Sequence, residues 1–203
     1  MVKKKDDTTE EKILNAAKKI FIKNGMAGAR MQDIADEAGI NKALLHYYFK
    51  NKELLFENIF IKLSTDFWPR LNFIFESDMP LFEKIPTFCN LYMEKLIENP
   101  YIPLFVLYEM NRRPAQFFKK MFAGNAPQPL KLMNQIEAEA KAGKIRPIHP
   151  SQLVINMISM CIFPFIGKPM IMAVMNMNED QFRVLIEQRK KDVPIFIIES
   201  IKK

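Results

Sequence analysis

An all-α fold is predicted by three features of this 203-residue chain. Apolar residues recur at helical spacing, no stretch alternates as a half-buried strand would, and only six glycines are present to make tight turns. Thirteen prolines punctuate the pattern, each removing a backbone donor and so marking a boundary, a first helical turn or a kink. The length suits one or two domains with a real core, and 49% hydrophobic with 26% charged residues is the balance of a folded chain.

The first helix should start at Thr8, where TTEE forms a capping box: the threonine oxygen accepts from the N3 amide while Glu11 reaches back to the cap. Ile13, Leu14, Ala16, Ala17, Ile20 and Phe21 then form its apolar stripe, and Asn24 with Gly25 should end it. A second, short helix is expected over 31–38, with Ile34, Ala35 and Ala38 on one side. Gly39 breaks it because glycine alone tolerates a positive φ freely. Ile40 plugs the corner, and Asn41 caps a third helix. Leu45, Tyr48 and Phe49 should point to the core, leaving Lys42, Ala43, His46 and Tyr47 on the opposite face. Further helices are read near 53–76, 80–98, 101–112, 114–122, 127–142, 150–175 with a break, and 178–201. Pro194 puts the straightness of the last one in question.

The formal charge of +7 favours polyanionic partners, and its distribution sharpens the point. Residues 1–52 carry 11 Lys and Arg against 7 Asp and Glu, the remainder 19 against 16. The basic end is the front end. Lys3, Lys4 and Lys5 read as a solvated tail that can add unspecific phosphate attraction. Cys89 and Cys161 lie far apart in apolar runs, which argues against a disulfide framework or a cysteine metal site and for buried free thiols. The N-terminal lysines are not followed by an apolar segment, so no secretory signal and a cytoplasmic location are expected. Residues 153–177 are apolar enough to test as a membrane span. Their uninterrupted part ends at Gly167, short of the roughly 20 residues a span needs, so a buried or interface helix is expected and no membrane partner.

Between Met31 and Tyr48 the small Ala35, the turn Gly39 and the wedge of Ile34, Ile40, Leu45 and Tyr48 stand where a helix-turn-helix needs them for close packing. The longer string MQDIADEAGINKALLHYYFKNKELLF, preceded by EEKILNAAKKIFIKNG, resembles the TetR family of transcription regulators over residues 8 to 56. The resemblance implies a helix-turn-helix DNA-binding domain at 1–52 and a helical ligand-binding and dimerisation domain at 53–203. It implies a homodimer that binds a double-stranded, palindromic DNA operator and responds, as a repressor, to a small hydrophobic effector. Carried over, the DNA-binding set is Arg30, Gln32, Asn41, Lys42, Ala43, Leu44, His46, Tyr47 and Lys52, with Tyr47 and Lys52 on phosphate and Lys42 on phosphate or a guanine edge. Two departures stand out. The family's usual hydroxyl cap before the second helix is replaced by Ala29 and Arg30, which makes Arg30 a phosphate clamp instead. A tyrosine of the recognition helix is replaced by His46, a ring with a donor that can gain charge as pH falls.

In the second domain, apolar residues at helical spacing are core first, but the resemblance implies a cavity. Trp68, Phe75, Phe88, Tyr92, Phe105, Tyr108, Phe117 and Met133 are the candidates to line it. Glu109, an acid on an apolar helix, either faces a cationic ligand there or forms a surface ion pair with Arg113. The resemblance also assigns the dimer interface to the last two helices, through Ile158, Ile162, Phe165, Phe182, Leu185, Ile186 and Phe196. No phosphate-cradling glycine loop, HExxH or Gly-x-Ser-x-Gly motif occurs, and only His46 and His149 are available as imidazoles. No enzyme, metal or cofactor is therefore expected. A helical ligand-binding or adaptor protein without sequence-specific DNA binding stays open as the alternative, and so does activation rather than repression.

Overall fold

The computed structural model describes residues 8–112, 114–122 and 126–203. The lysines of the N-terminal tail and the proposed Glu109–Arg113 pair lie outside the described residues. Helices α1 (Thr9–Gly28), α2 (Met31–Ala38), α3 (Lys42–Tyr48), α4 (Lys52–Glu76), α5 (Leu81–Glu98), α6 (Ile102–Arg112), α7 (Pro114–Phe122), α8 (Leu130–Lys141), α9 (Pro150–Ile166), α10 (Lys168–Val174) and α11 (Glu179–Ile201) follow one another, with no strand among the described residues. The all-α expectation holds, and helix starts fall where local caps put them. Thr8 Oγ1 accepts from the Glu11 amide at 3.3 Å while Glu11 Oε2 accepts from the Thr8 amide at 3.1 Å. Asn178 and Gln181 make the same reciprocal box at the start of α11. The end of α1 differs from expectation: the chain bends at Gly25 (φ 66°, ψ 172°) and then resumes helical geometry to Gly28.

Two compact units are present, and they do not divide at residue 52. The first runs through Thr65 and takes in the chain from Phe105 to the end of α7; the second holds Asp66–Leu104 and the chain from α8 to Lys203. The boundary moves because aromatic packing recruits distant helices. Phe56 at the head of α4 packs at a tilt against Phe21 of α1 at 4.9 Å and Phe105 of α6 at 4.1 Å, and Phe60 stacks on Phe117 of α7 at 5.5 Å. Leu55, Phe56, Ile59 and Phe60 are all buried. A three-helix unit ending at Lys52 would leave these rings in water, at roughly 1.5–3 kcal/mol for each large side chain.

Within the second unit α5 packs against α9 and α11. Ile85, Phe88, Cys89, Met157, Cys161, Ile186 and Ile197 contribute to its core. Cys89 and Cys161 are free and buried. The hydrogen bond between Cys89 and Cys161, and then burial, hold the Cys89 thiol well above the ordinary cysteine range. The apolar stretch expected over 150–175 with a break is two helices, α9 and α10, meeting at Gly167 with a 73° bend. No single helix is long and apolar enough to cross a membrane among the described residues. Pro164 and Pro194 are both buried inside helices.

Candidate nucleic-acid interface and ligand cavity

α2 and α3 are held at their turn by Gly39, whose φ of 67° and ψ of 32° put it in the left-handed region. Its amide donates to Asp36 O at 3.1 Å, and the Ile40 amide donates to Ala35 O at 3.0 Å. Ile34 and Leu45 of the expected wedge are fully buried beside Ala35, and Ile40 is half-buried. Asn41 Oδ1 caps α3 by accepting from the Leu44 amide at 2.8 Å. Lys42, Ala43, Leu44, His46 and Tyr47 are then all exposed, with Tyr47 83% accessible.

Tyr48 departs from its expected core position: it is 41% exposed and meets Tyr47 edge-on at 5.5 Å. The reason is local. α3 lasts only two turns, and the chain leaves it at Phe49 (φ −136°, ψ 110°), which takes the buried place instead. His46 Nδ1 lies 3.1 Å from Lys50 O; with a carbonyl as partner the ring nitrogen must donate, which leaves Nε2 as the outward nitrogen. Arg30 is exposed at the N-cap of α2 and makes no side-chain cap there. Gln32 is exposed but shares its amide with Asp36 Oδ1 at 2.8 Å.

Lys52 requires correction. Its ammonium donates to Met26 O, Ala27 O and Ala29 O at 2.9, 3.2 and 3.3 Å. All three donors of the lysine are engaged, so it ties the head of α4 to the end of α1 rather than holding phosphate. Because its partners lie more than twenty residues upstream, no local sequence signal announces this.

The expected pocket residues split into groups. Phe105, Tyr108, Glu109 and Phe117 do come together, around a cavity of about 510 Å³ in the first unit. Sequence reasoning missed the rest of its wall: Asn51, Glu53, Leu54 and Glu57 from the start of α4, with Arg112 and Lys120. Lys120 pairs with Glu57 at 2.6 Å, and the Arg112 guanidinium sits 5.9 Å from the centre of the Tyr108 ring. Trp68, Phe75, Phe88 and Tyr92 belong instead to the packing of the second unit. Phe75 stacks on Phe88 at 5.9 Å, Phe88 on Tyr92 at 5.5 Å, and Phe67 meets both Tyr92 and Trp68 edge-on. Burial raises the Tyr92 hydroxyl above the ordinary tyrosine range. Met133 lies apart from both groups, beside Leu130, Ile148 and His149 in a surface groove.

The dimer assignments also need correction. Phe165, Phe182 and Ile186 are buried within their own chain at 6%, 5% and 4% exposure. Ile158, Ile162 and Leu185 are half-buried against the same core. Only Phe196 stands clear, and it is joined by residues that were not anticipated: Ile155 and Phe163 on α9, Val184 and Ile195 on α11. On α11, Val184 and Ile195 stand about three whole turns apart and so share one helix face, while Ile155 and Phe163 on α9 are offset by about 80° around the helix.

Comparison with known proteins bears on this geometry. The model for bacterial regulatory proteins of the tetR family matches residues 13–59, the stretch that contains α2, the turn and α3. The HTH-type transcriptional repressor NicS of Pseudomonas putida is 38% identical over 61 residues, covering 30% of this chain and 29% of its own length. The HTH-type transcriptional regulator RutR of Escherichia coli (strain K12) is 28% identical over 143 residues, 70% of this chain and 66% of its own. The chain thus spans less than two thirds of these curated relatives. Solved structures match over far more of it. HlyIIR, a hemolysin II transcriptional regulator, is 25% identical with a TM-score of 0.56 over 89% of this chain and 96% of its own. A TetR/AcrR-family regulator from Thermobifida fusca shares the fold with a TM-score of 0.59 at 17% identity, over 91% and 96%. The family model of bacterial tetR regulators is thus seated on the helix-turn-helix, and the helical chain is matched in fold nearly end to end by solved structures of such regulators.

Proposed function

We propose that the protein is a cytoplasmic, homodimeric, ligand-responsive transcription regulator that represses by binding a palindromic DNA operator, and that it is not an enzyme. The observation that carries this reading is α3: Lys42, Ala43, Leu44, His46 and Tyr47 are exposed together on a helix anchored by Leu45, in the stretch matched by the family model. In such docking the recognition helix lies in the major groove, where a few side chains read base edges and their neighbours hold phosphate. Lys42 can reach a guanine edge or a phosphate, Tyr47 and Arg30 suit phosphate, and His46 offers Nε2 to a base or backbone donor.

A second copy is needed to read a dyad, and the exposed apolar faces of α9 and α11, with Ile155, Phe163, Val184 and Ile195, suit burial against their mates. Half-sites about one helical turn apart, roughly 34–36 Å, follow from that symmetry. An effector that binds more tightly to the form with mismatched recognition helices would shift the population off DNA. Lys42→Ala with Tyr47→Ala tests the reading by fluorescence anisotropy on operator DNA. Affinity should fall at least tenfold while sedimentation still reports the dimer. Unchanged affinity would favour the rival, a helical ligand-binding or adaptor protein.

A further inference from the structure

We propose that the cavity at the head of α4 binds an organic monocation with an aromatic body, and that this cation is the regulator's effector. The first part stands on the cavity alone; the second rests on the DNA-binding reading above. At about 510 Å³ the space lies within the range of sites for drug-sized molecules. Phe60, Phe105 and Phe117 supply aromatic surface and pack on one another at 5.5 to 6.1 Å. Ring faces attract a cation, more strongly when it is desolvated.

Charge selects the sign of the guest. Among the described residues, three carboxylates line the cavity, those of Glu53, Glu57 and Glu109, against the two cations Arg112 and Lys120. Lys120 is committed to Glu57 at 2.6 Å. Glu53 and Glu109 have no ion-pair partner among the described residues, and Glu109 is half-buried. A carboxylate drawn partly out of water is costly without a counter-charge, and a bound cation supplies one. Among the described residues, an anion of the same shape would face all three carboxylates and find only Arg112 uncommitted to a carboxylate.

The cavity also touches the lever that such an effector would move. Asn51 and Leu54 line it on either side of Lys52 in sequence, and Asn51 Oδ1 caps α4 through the Leu54 amide at 2.8 Å. Lys52 in turn holds Met26 O, Ala27 O and Ala29 O, immediately ahead of Arg30 and α2. A guest that shifts the first turn of α4 therefore pulls on the entry to the helix-turn-helix.

Isothermal titration of the full-length protein with tetraphenylphosphonium and with tetraphenylborate, ions of matched shape and opposite charge, decides the first part. The phosphonium should bind at least tenfold more tightly, and Glu53→Gln with Glu109→Gln should weaken it about tenfold while circular dichroism stays that of the parent. Equal affinity for the two ions, tighter borate binding, no binding of either, or an unaffected double variant would each overturn it. Anisotropy on operator DNA decides the second part. Saturating phosphonium should weaken DNA binding at least tenfold, and phosphonium bound with DNA affinity unchanged would remove the effector role while leaving the cation site in place.

Discussion

Lys52 and Lys84 show how the surroundings of one side chain can redirect a residue that looks generic in sequence. The Lys52 ammonium closes three carbonyls near the end of α1, where helix carbonyls lack partners of their own. Replacing it with methionine should destabilise the protein by about 2 kcal/mol, the usual value of hydrogen bonds to a charged group, measured by urea unfolding. Unchanged stability together with a large loss of DNA affinity would restore the phosphate role. Lys84 is 1% exposed, with Nζ 2.8 Å from Gln135 Oε1 and 3.3 Å from Phe75 O. Burial lowers its pKa, the charge of Lys131 adds to that, and Asp78 and Glu139 oppose it. The sign follows from proton binding: above the lowered folded value the unfolded chain holds more protons, so stability rises with pH. The unfolding free energy of the parent, relative to Lys84→Met, should therefore increase as pH approaches the ordinary lysine value of 10.5. A difference that is flat or falls with pH would contradict this. Neither lysine's role could be read in sequence, because each depends on partners brought near only by the fold.

Helices were legible because their signals are local. Thr8 with Glu11, Asn41 and the turn at Gly39 all act within a few residues, and each stands where the sequence places it. Gly39 holds a φ of 67° with open space around its α-carbon, so conformation alone penalises a side chain there. Gly39→Ala should cost about 1 kcal/mol, Gly39→Asn less and Gly39→Val more, ranked by thermal unfolding; an equal cost for all three would contradict the account. Domain membership was not legible, because Phe105 and Phe117 lie far along the chain from Phe56 and Phe60. Phe105→Ala should lower the stability of the helix-turn-helix unit by about 3–5 kcal/mol, read by hydrogen exchange in α1. Unchanged protection in α1 would place α6 outside that unit. Core and interface also look alike in sequence, since both are apolar at a period of 3.6. Phe165, Phe182 and Ile186 therefore have the sequence pattern of an interface but lie in the core, whereas Val184 and Ile195 are exposed.

At the scale of the molecule, the basic front end and the exposed face of α3 carry the functional account. The candidate interface was largely legible: Arg30, Lys42, Ala43, Leu44, His46 and Tyr47 are exposed as the helical period requires. The ligand cavity was half legible, since aromatic residues and Glu109 could be suspected one by one but the acids of α4 converge on them only in the fold. Binding that depends on phosphate contacts must weaken as salt rises, because each neutralised phosphate releases counterions. The most direct test of the regulator reading is selection from random double-stranded DNA by the full-length protein, followed by affinity measured across a salt series. The account predicts an enriched inverted repeat with half-sites about one helical turn apart and an affinity that falls steeply with salt. Selection that enriches no dyad, or DNA binding that is absent or indifferent to salt, would contradict it.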